Sequence, residues 1–171
     1  MKRMILLSLF CLAGVVMANA QRFALIDMEY IMENIPEYQQ ANNELELASQ
    51  QYQKAVEAKA KEAEALYLAY QKAANTLSAT QRTQKEEAIV AKEREAAELR
   101  KKYFGPEGEM AQKQEALIAP IQNRIYEVVK HISTQKGYDA VIDRASATSI
   151  IFASPRIDIS NEVLAKLGYS N

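Results

Sequence analysis

The 171-residue chain has one cysteine, Cys11, and one histidine, His131. Beyond residue 20 there is no thiol, which excludes disulfide and thiolate chemistry there. His131 has no second histidine or cysteine to complete a ligand set, so it reads as a surface residue rather than a metal site. The sequence has no glycine-rich phosphate loop, no G-x-S-x-G elbow and no H-E-x-x-H pair. Carboxylate pairs such as Glu86-Glu87 fall in a helical stretch with no pocket to raise a pKa for acid catalysis. Asp27 and Asp143, at the ends of apolar runs, are the one place to look for a carboxylate site, and backbone hydrogen bonding is the simpler role for both. The sequence argues against an enzyme and asks for no cofactor.

A dominant charge is also lacking. Lys2, Arg3 and the apolar run Met4 to Met17, followed by Ala18-Asn19-Ala20, have the order of a secretory signal peptide with cleavage before Gln21. The run has 14 residues, whereas spanning a bilayer takes about 20. Without Lys2 and Arg3 the 21 basic residues fall to 19 against 22 acidic ones, a net charge of −3. That balance gives no support to nucleic-acid binding, which needs a strongly basic face.

Glycine is absent from Asn34 to Tyr103, and Pro36 is the single proline there. What fills the stretch is Ala, Gln, Glu and Lys, a helix composition. Its clear stop is Leu77-Ser78-Ala79-Thr80, where Ser78 and Gln81 form a capping box for a second, returning helix. Asn34 with Glu37, and Pro36 in the first turn, marks the start. At about 1.5 Å per residue the outgoing helix reaches roughly 60 Å, more than a compact domain of this length is wide. The predicted fold class is therefore α+β, a long antiparallel helical hairpin projecting from a small β body.

The hairpin seam is thin. It begins as Tyr38, Ala41, Leu45, Ala48 and Tyr52, meets Lys59 and Glu62, and continues only by slipping to Val56, Ala60, Ala63, Tyr67, Tyr70, Ala74 and Leu77. The returning helix offers Ile89, Ala96, Leu99 and Tyr103 but puts Lys92 in the seam. Alanine methyls bury little, about 0.8 kcal/mol per CH2-sized group, so the helices are held weakly. Tyr52, Tyr67, Tyr70, Leu66 and Leu68 cover more than one helix face, and two helices cannot bury them all. Tyr52, Val56, Leu66, Tyr67, Tyr70 and Leu77 are the candidate contacts for something outside the hairpin. The tip from Tyr70 to Lys92 has net charge +2 and the shaft from Pro36 to Ala69 has −3, a difference that ionic screening over about 8 Å leaves weak.

Around the hairpin lie shorter elements. Residues 21–33 hold an apolar strand, Phe23 to Asp27, and a short helix, Met28 to Glu33. The hairpin arm occupies 34–104, and 105–171 returns to the body. Gly105, Pro106 and Gly108 interrupt the helix and are read as a hinge. The next helix has the best seam, Ile118, Ile121, Ile125, Val128 and Ile132, and Gly137 stops it. Tyr138 to Asp143 and Ser149 to Ala153 read as two strands, and Ser160 as the cap of a last helix ending at Gly168. Three short strands bury little apolar surface and leave open edges, which association of copies would pair. Leu25, Ile26, Val141, Ile142, Ile150, Ile151 and Phe152 are the candidate oligomer body.

Ala24-Leu25-Ile26-Asp27 leading into a helix, Leu117-Ile118-Ala119-Pro120-Ile121 with Ile125, Gly137-Tyr138-Asp139-Ala140-Val141-Ile142-Asp143, and Asp158-Ile159-Ser160 with Val163 and Leu164 occur in this order around a glycine-free hairpin. In this the chain resembles the Skp/OmpH family of periplasmic chaperones over essentially its whole mature length. The resemblance implies a homotrimer, with strands from three subunits in a small barrel and three arms around a cavity. It implies an ATP-independent periplasmic holdase for unfolded outer-membrane β-barrel proteins, in transient contact with the outer-membrane assembly machinery. Members are often basic and this chain is slightly acidic, and it carries no lipopolysaccharide motif, which argues against lipopolysaccharide binding. The competing reading is an envelope adaptor or spacer that uses its coiled-coil arm to bind one folded partner.

Overall fold

The strand β1, Phe23–Ile26, is the middle of a small sheet-like core in the computed structural model, which describes residues 21–147 and 149–169. It pairs in parallel with β2, Ala140–Asp143, in the register Phe23 to Ala140 through Ile26 to Asp143. Parallel pairing needs a long crossover, and every residue from Asp27 to Asp139 lies between the two strands. On its other side Leu25 forms a parallel bridge to Asp158 and accepts a hydrogen bond from Ile159 N at 2.8 Å. Ala24, Leu25 and Ile26 are accordingly buried.

The elements in order are β1, α1 (Met28–Glu33), α2 (Pro36–Ala73), α3 (Ala79–Phe104), α4 (Glu109–Lys136), β2, a 3-10 turn (Pro155–Ile157) and α5 (Ser160–Leu167). They divide into two compact units: Met32–Ile125, and the residues on either side of that stretch.

The second of these units is the body. Arg22 ties its edges, with N–H to Asp139 Oδ2 at 2.8 Å, Nη1 to the Lys136 carbonyl at 2.6 Å, and its guanidinium over the Tyr138 ring. Gly137, at φ 65°, supplies the left-handed residue that ends α4 before β2. Asp27 and Asp143, the two strand-end carboxylates, are structural. Asp143 Oδ1 accepts from Met28 N and Ala145 N, while Asp27 accepts from Tyr30 N and pairs with Arg144. Val163 and Leu164 of α5 are buried, and Gly168 closes that helix at φ 92°.

Three local expectations are corrected here. Ser160 does not cap α5. Ile159 stands at the cap position, and the buried Ser160 hydroxyl accepts from Asp27 N at 2.8 Å and donates to Asp158 Oδ1 at 2.6 Å. Ser149 to Ala153 is not a strand in the single chain; Ile151 is 100% and Phe152 84% exposed. The residue types favour β structure, yet a strand exists only when its N–H and C=O groups meet a partner strand, and among the described residues none pairs with this segment. In the other unit, Asn34 does not cap α2. Ile35 does, in extended conformation, because the residue before a proline is pushed out of the helical region and Pro36 fits the first helical position.

The unit Met32–Ile125 contains the hairpin. The outgoing helix ends at Ala73, four residues before Leu77, in a turn that Thr76 closes onto the Ala73 carbonyl. The Ser78 capping box is present in full: Ser78 Oγ accepts from Gln81 N and Gln81 Oε1 accepts from Ser78 N. The unit continues past the 104/105 boundary read from the sequence, as far as Ile125. Within this unit the ion pairs Lys102–Glu109, Lys113–Glu44 and Arg124–Glu37 join the first half of α4 to α2 and α3.

Candidate functional site

Small side chains dominate the buried seam of the arm. Helix α2 buries Ala41, Ala48, Val56 and Ala63, at steps of seven or eight residues, and α3 buries only Ile89. So narrow a seam leaves the flanks of both helices open.

Two polar arrangements fix the register. Near the elbow, Tyr52 stacks on Tyr103 with centroids 4.1 Å apart, and Phe104 meets it edge-on at 6.3 Å. A hydrogen bond between the Tyr52 hydroxyl and the Glu109 carboxylate holds the phenol pKa above its usual value. Further out, the residues that interrupt the apolar seam form a square of alternating charge. Lys59 contacts Glu62 at 3.1 Å and Glu95 at 3.8 Å, while Lys92 contacts Glu62 at 3.3 Å and Glu95 at 2.8 Å. Hydrogen bonds from Lys59 and then Lys92 lower the Glu62 pKa, Lys92 lowers that of Glu95, and Glu95 followed by Glu62 raises that of Lys92.

The elbow is a tight corner. Gly105 N–H donates to the Lys101 carbonyl and Gly108 N–H to the Gly105 carbonyl, both at 2.9 Å. A Cβ on Gly105 would lie 2.4 Å from the Lys101 oxygen, and one on Gly108 2.8 Å from the Tyr103 oxygen. Pro106, between them, is exposed.

One flank of the hairpin forms an open groove of about 680 Å³. Val56, Ala60, Ala63, Ala96 and Ala97 line it, with Tyr67, Glu64 and Glu93 toward the tip and Arg100, Lys101, Phe104 and Gly105 toward the elbow. Of the six candidate contacts, Val56 and Tyr67 reach this groove, and Tyr67 is 48% exposed. Tyr52 is engaged within the arm through Tyr103, Phe104 and Glu109. Tyr70 is half-buried and its hydroxyl donates to Glu86; Leu66 and Leu77 are half-buried outside the groove. Phe104, Arg100 and Lys101 were not among the candidates. A helical-wheel reading across both helices, once the Tyr52–Tyr103 level is known, is the signal that finds them.

In the body, Leu25 and Ile26 are buried, Val141 and Ile150 half-buried, and Ile142, Ile151 and Phe152 exposed. No group of three His, Cys, Asp or Glu among the described residues is placed to hold a metal ion. No helix among them is long and apolar enough to cross a membrane. The signal peptide expected at Met1–Ala20 lies outside the described residues.

A family model for outer membrane protein (OmpH-like) matches residues 22–167, nearly all of the described residues. The chain belongs to the OmpH-like family. Among its relatives, the chaperone protein Skp of Yersinia enterocolitica is 25% identical over 156 residues, covering 91% of this chain and 92% of that one. A solved structure of an OmpH-like protein from Caulobacter crescentus superposes with a TM-score of 0.65 at 12% identity, over 86% of this chain and 83% of that one. The α+β architecture with a long helical hairpin and a small parallel sheet is thus the OmpH-like fold.

Proposed function

We propose that this OmpH-like protein is an ATP-independent periplasmic holdase that binds unfolded outer-membrane β-barrel proteins before their membrane assembly. The observation that carries the reading is the open, alanine-floored groove with a half-exposed Tyr67 on a hairpin too thinly seamed to bury its own apolar flank. Full-length similarity to a chaperone, Skp of Yersinia enterocolitica, supports the same reading.

The proposed mechanism is many weak contacts. The mature chain, without Met1–Ala20, assembles through Leu25, Ile26, Val141, Ile142, Ile150, Ile151 and Phe152 into a trimer whose shared strands complete a barrel. Its arms enclose the client, with Val56 and Tyr67 in the groove and Leu66, Tyr70 and Leu77 beside it. Linked weak sites raise one another's effective concentration, so the sum holds a client while each local segment exchanges quickly. No nucleotide, cofactor or catalytic step is needed for such capture or for hand-over to the assembly machinery. Gly105, Pro106 and Gly108 set the angle at which the hairpin leaves α4.

The test mixes the mature protein with a urea-unfolded outer-membrane porin and dilutes the urea. Suppressed aggregation and co-elution are expected. Unimpeded aggregation with no co-elution rejects the holdase, and saturable binding of one folded envelope protein instead identifies an adaptor.

A further inference from the structure

The arm groove is electrically polarised along its length, and its poles are unused within the chain. Exposed Glu64 and Glu93 line it toward the tip, and exposed Arg100 and Lys101 toward the elbow. None of the four has an ion-pair or side-chain hydrogen-bond partner among the described residues, whereas Lys59, Glu62, Lys92 and Glu95 beside them are mutually paired. An aromatic ring stands at each end of the alanine floor, Tyr67 at 48% and Phe104 at 43% exposure. The stack of Tyr52 on Tyr103 fixes the levels of the two helices. Counting from it, Lys101 is level with Lys54, ten residues short of Glu64, or about 15 Å. Glu93 and Arg100, seven residues apart on α3, are separated by about 10 Å. Phe104 is level with Gln51, sixteen residues from Tyr67, or about 24 Å.

An extended chain rises about 3.3 Å per residue and turns successive side chains to opposite faces. A segment of seven residues, apolar at the first, third, fifth and seventh, therefore lays one apolar face of about 20 Å along the groove. Its inner pair covers the alanines and its outer pair reaches toward Tyr67 and Phe104. The second and sixth residues lie on the other face, about 13 Å apart, between the two separations of the poles. A cation there toward Glu64 and Glu93, and an anion toward Arg100 and Lys101, completes the match. Membrane-spanning strands of β-barrels alternate apolar and polar residues in this way. We propose that the groove is a subsite for one extended client strand of this pattern, with a basic and an acidic residue four apart on its polar face. The class of client comes from the holdase reading, on which this subsite rests; the pattern adds which segments of such a client dwell on the arm.

Fluorescently labelled seven-residue peptides with blocked ends, titrated with the mature protein and followed by anisotropy, test it. All carry apolar residues at alternate positions and threonine at the centre; they differ in having Lys and Glu, two Lys, or two Glu at the second and sixth positions. Wild type should bind the Lys and Glu peptide tightest, by about fivefold over the other two. E64K/E93K makes the poles wholly basic and should prefer the two-Glu peptide, while R100E/K101E makes them wholly acidic and should prefer the two-Lys peptide. Combining all four changes should restore the preference for Lys and Glu, a reversal that loss of structure cannot imitate. A peptide of the same composition with its apolar residues contiguous should bind more weakly. Equal binding of the three charge patterns overturns the proposal, as do an order that the variants leave unchanged, equal binding of the contiguous peptide, and no binding of any peptide up to millimolar protein. The unfolded-porin assay on the same samples separates this subsite from the holdase reading. Porin held without any peptide preference rejects the subsite alone, and ordered peptides without porin capture reject the holdase alone.

Discussion

Tyr52 and Tyr103 lie face to face across the hairpin, ring centroids 4.1 Å apart and planes within 6° of parallel. The pair sits next to the elbow, where Phe104 closes on the edge of the same ring and Glu109, at the start of α4, takes the Tyr52 hydroxyl. Three helices thus meet on one side chain, and the thin alanine seam beyond it inherits its register from here.

Replacing Tyr52 with Ala is expected to destabilise the arm by about 2 kcal/mol, roughly half the value for a fully buried aromatic because the ring is half-buried. In a double-mutant cycle with Tyr103→Ala the coupling should be about 1 kcal/mol, the usual worth of an aromatic pair beyond its area. Tyr52→Phe, which keeps the stack and loses only the hydroxyl bond, should give less than half the effect of Tyr52→Ala. Urea unfolding followed by far-ultraviolet circular dichroism measures wild type and the four variants. An absence of coupling would show that the stack is incidental.

The charge square gives the shaft a pH dependence with a definite sign. Glu62 and Glu95 titrate below their ordinary value of 4.5 in the folded arm, because Lys59 and Lys92 favour their charged forms. A lowered folded pKa stabilises above the unfolded pKa and the benefit disappears as pH falls through the folded one. The arm should therefore lose stability from about pH 4.5 downward. Lys92 is raised above 10.5, so its share is full below that pH and fades only as pH rises through its higher folded pKa. Exchange protection of amides around Ala60 and Glu93, followed from pH 6 to pH 3, should fall in wild type and change less in E62Q/E95Q. Parallel curves for the two proteins would remove the square as the cause.

How much of this was legible in the sequence depended on range. The Ser78 capping box and the break in the helix at Gly105 and Gly108 are local chemistry within a few residues, and the structure has both. Lys59, Glu62 and Lys92 read as defects in an apolar seam, because periodicity sees one helix at a time. Their pairing depends on the level at which two helices distant in sequence meet. The start of α2 shows two local rules in competition: Asn34 is a good capping residue, but Pro36 forces Ile35 into extended backbone and takes the first helical position itself. Of the candidate contacts, Tyr67 stands half-open in the groove while Tyr52 is engaged inside, a difference set by the returning helix and invisible in α2 alone.

The elbow glycines should be intolerant for a reason unlike that at the end of α5. Gly105 has φ −66°, which any residue adopts, but an added Cβ would sit 2.4 Å from the Lys101 carbonyl oxygen, a backbone atom that cannot swing aside. Gly168 has open space around it and φ 92°, so alanine there suffers only conformational strain, about 1 kcal/mol. Gly105→Ala is expected to be the more damaging of the two, by about 1 kcal/mol or more, with Gly108→Ala close behind. Thermal unfolding of the three single variants ranks them. If Gly105→Ala instead stabilises, as alanine does at unstrained sites, the corner is looser than its hydrogen bonds imply.

Substitutions at Ile151 and Phe152 should separate folding from assembly. Both are almost wholly exposed in the single chain, so a polar side chain there removes no intrachain packing, whereas Leu25 and Ile26 are 3% and 5% exposed at the centre of the body. If the segment is the missing strand of a shared barrel, its apolar side chains are desolvated only when copies meet. Ile151→Asp with Phe152→Asp should then lower the solution mass of the mature protein toward one subunit, while the isolated subunit keeps its helical signal. Leu25→Ala should unfold the body, at about 3 kcal/mol for a buried leucine, and lose both mass and signal. Light scattering with circular dichroism on the same samples reads the two quantities together. An unchanged mass in the double aspartate variant would place the assembly surface elsewhere, because two charges in a desolvated strand interface are too unfavourable to be absorbed silently.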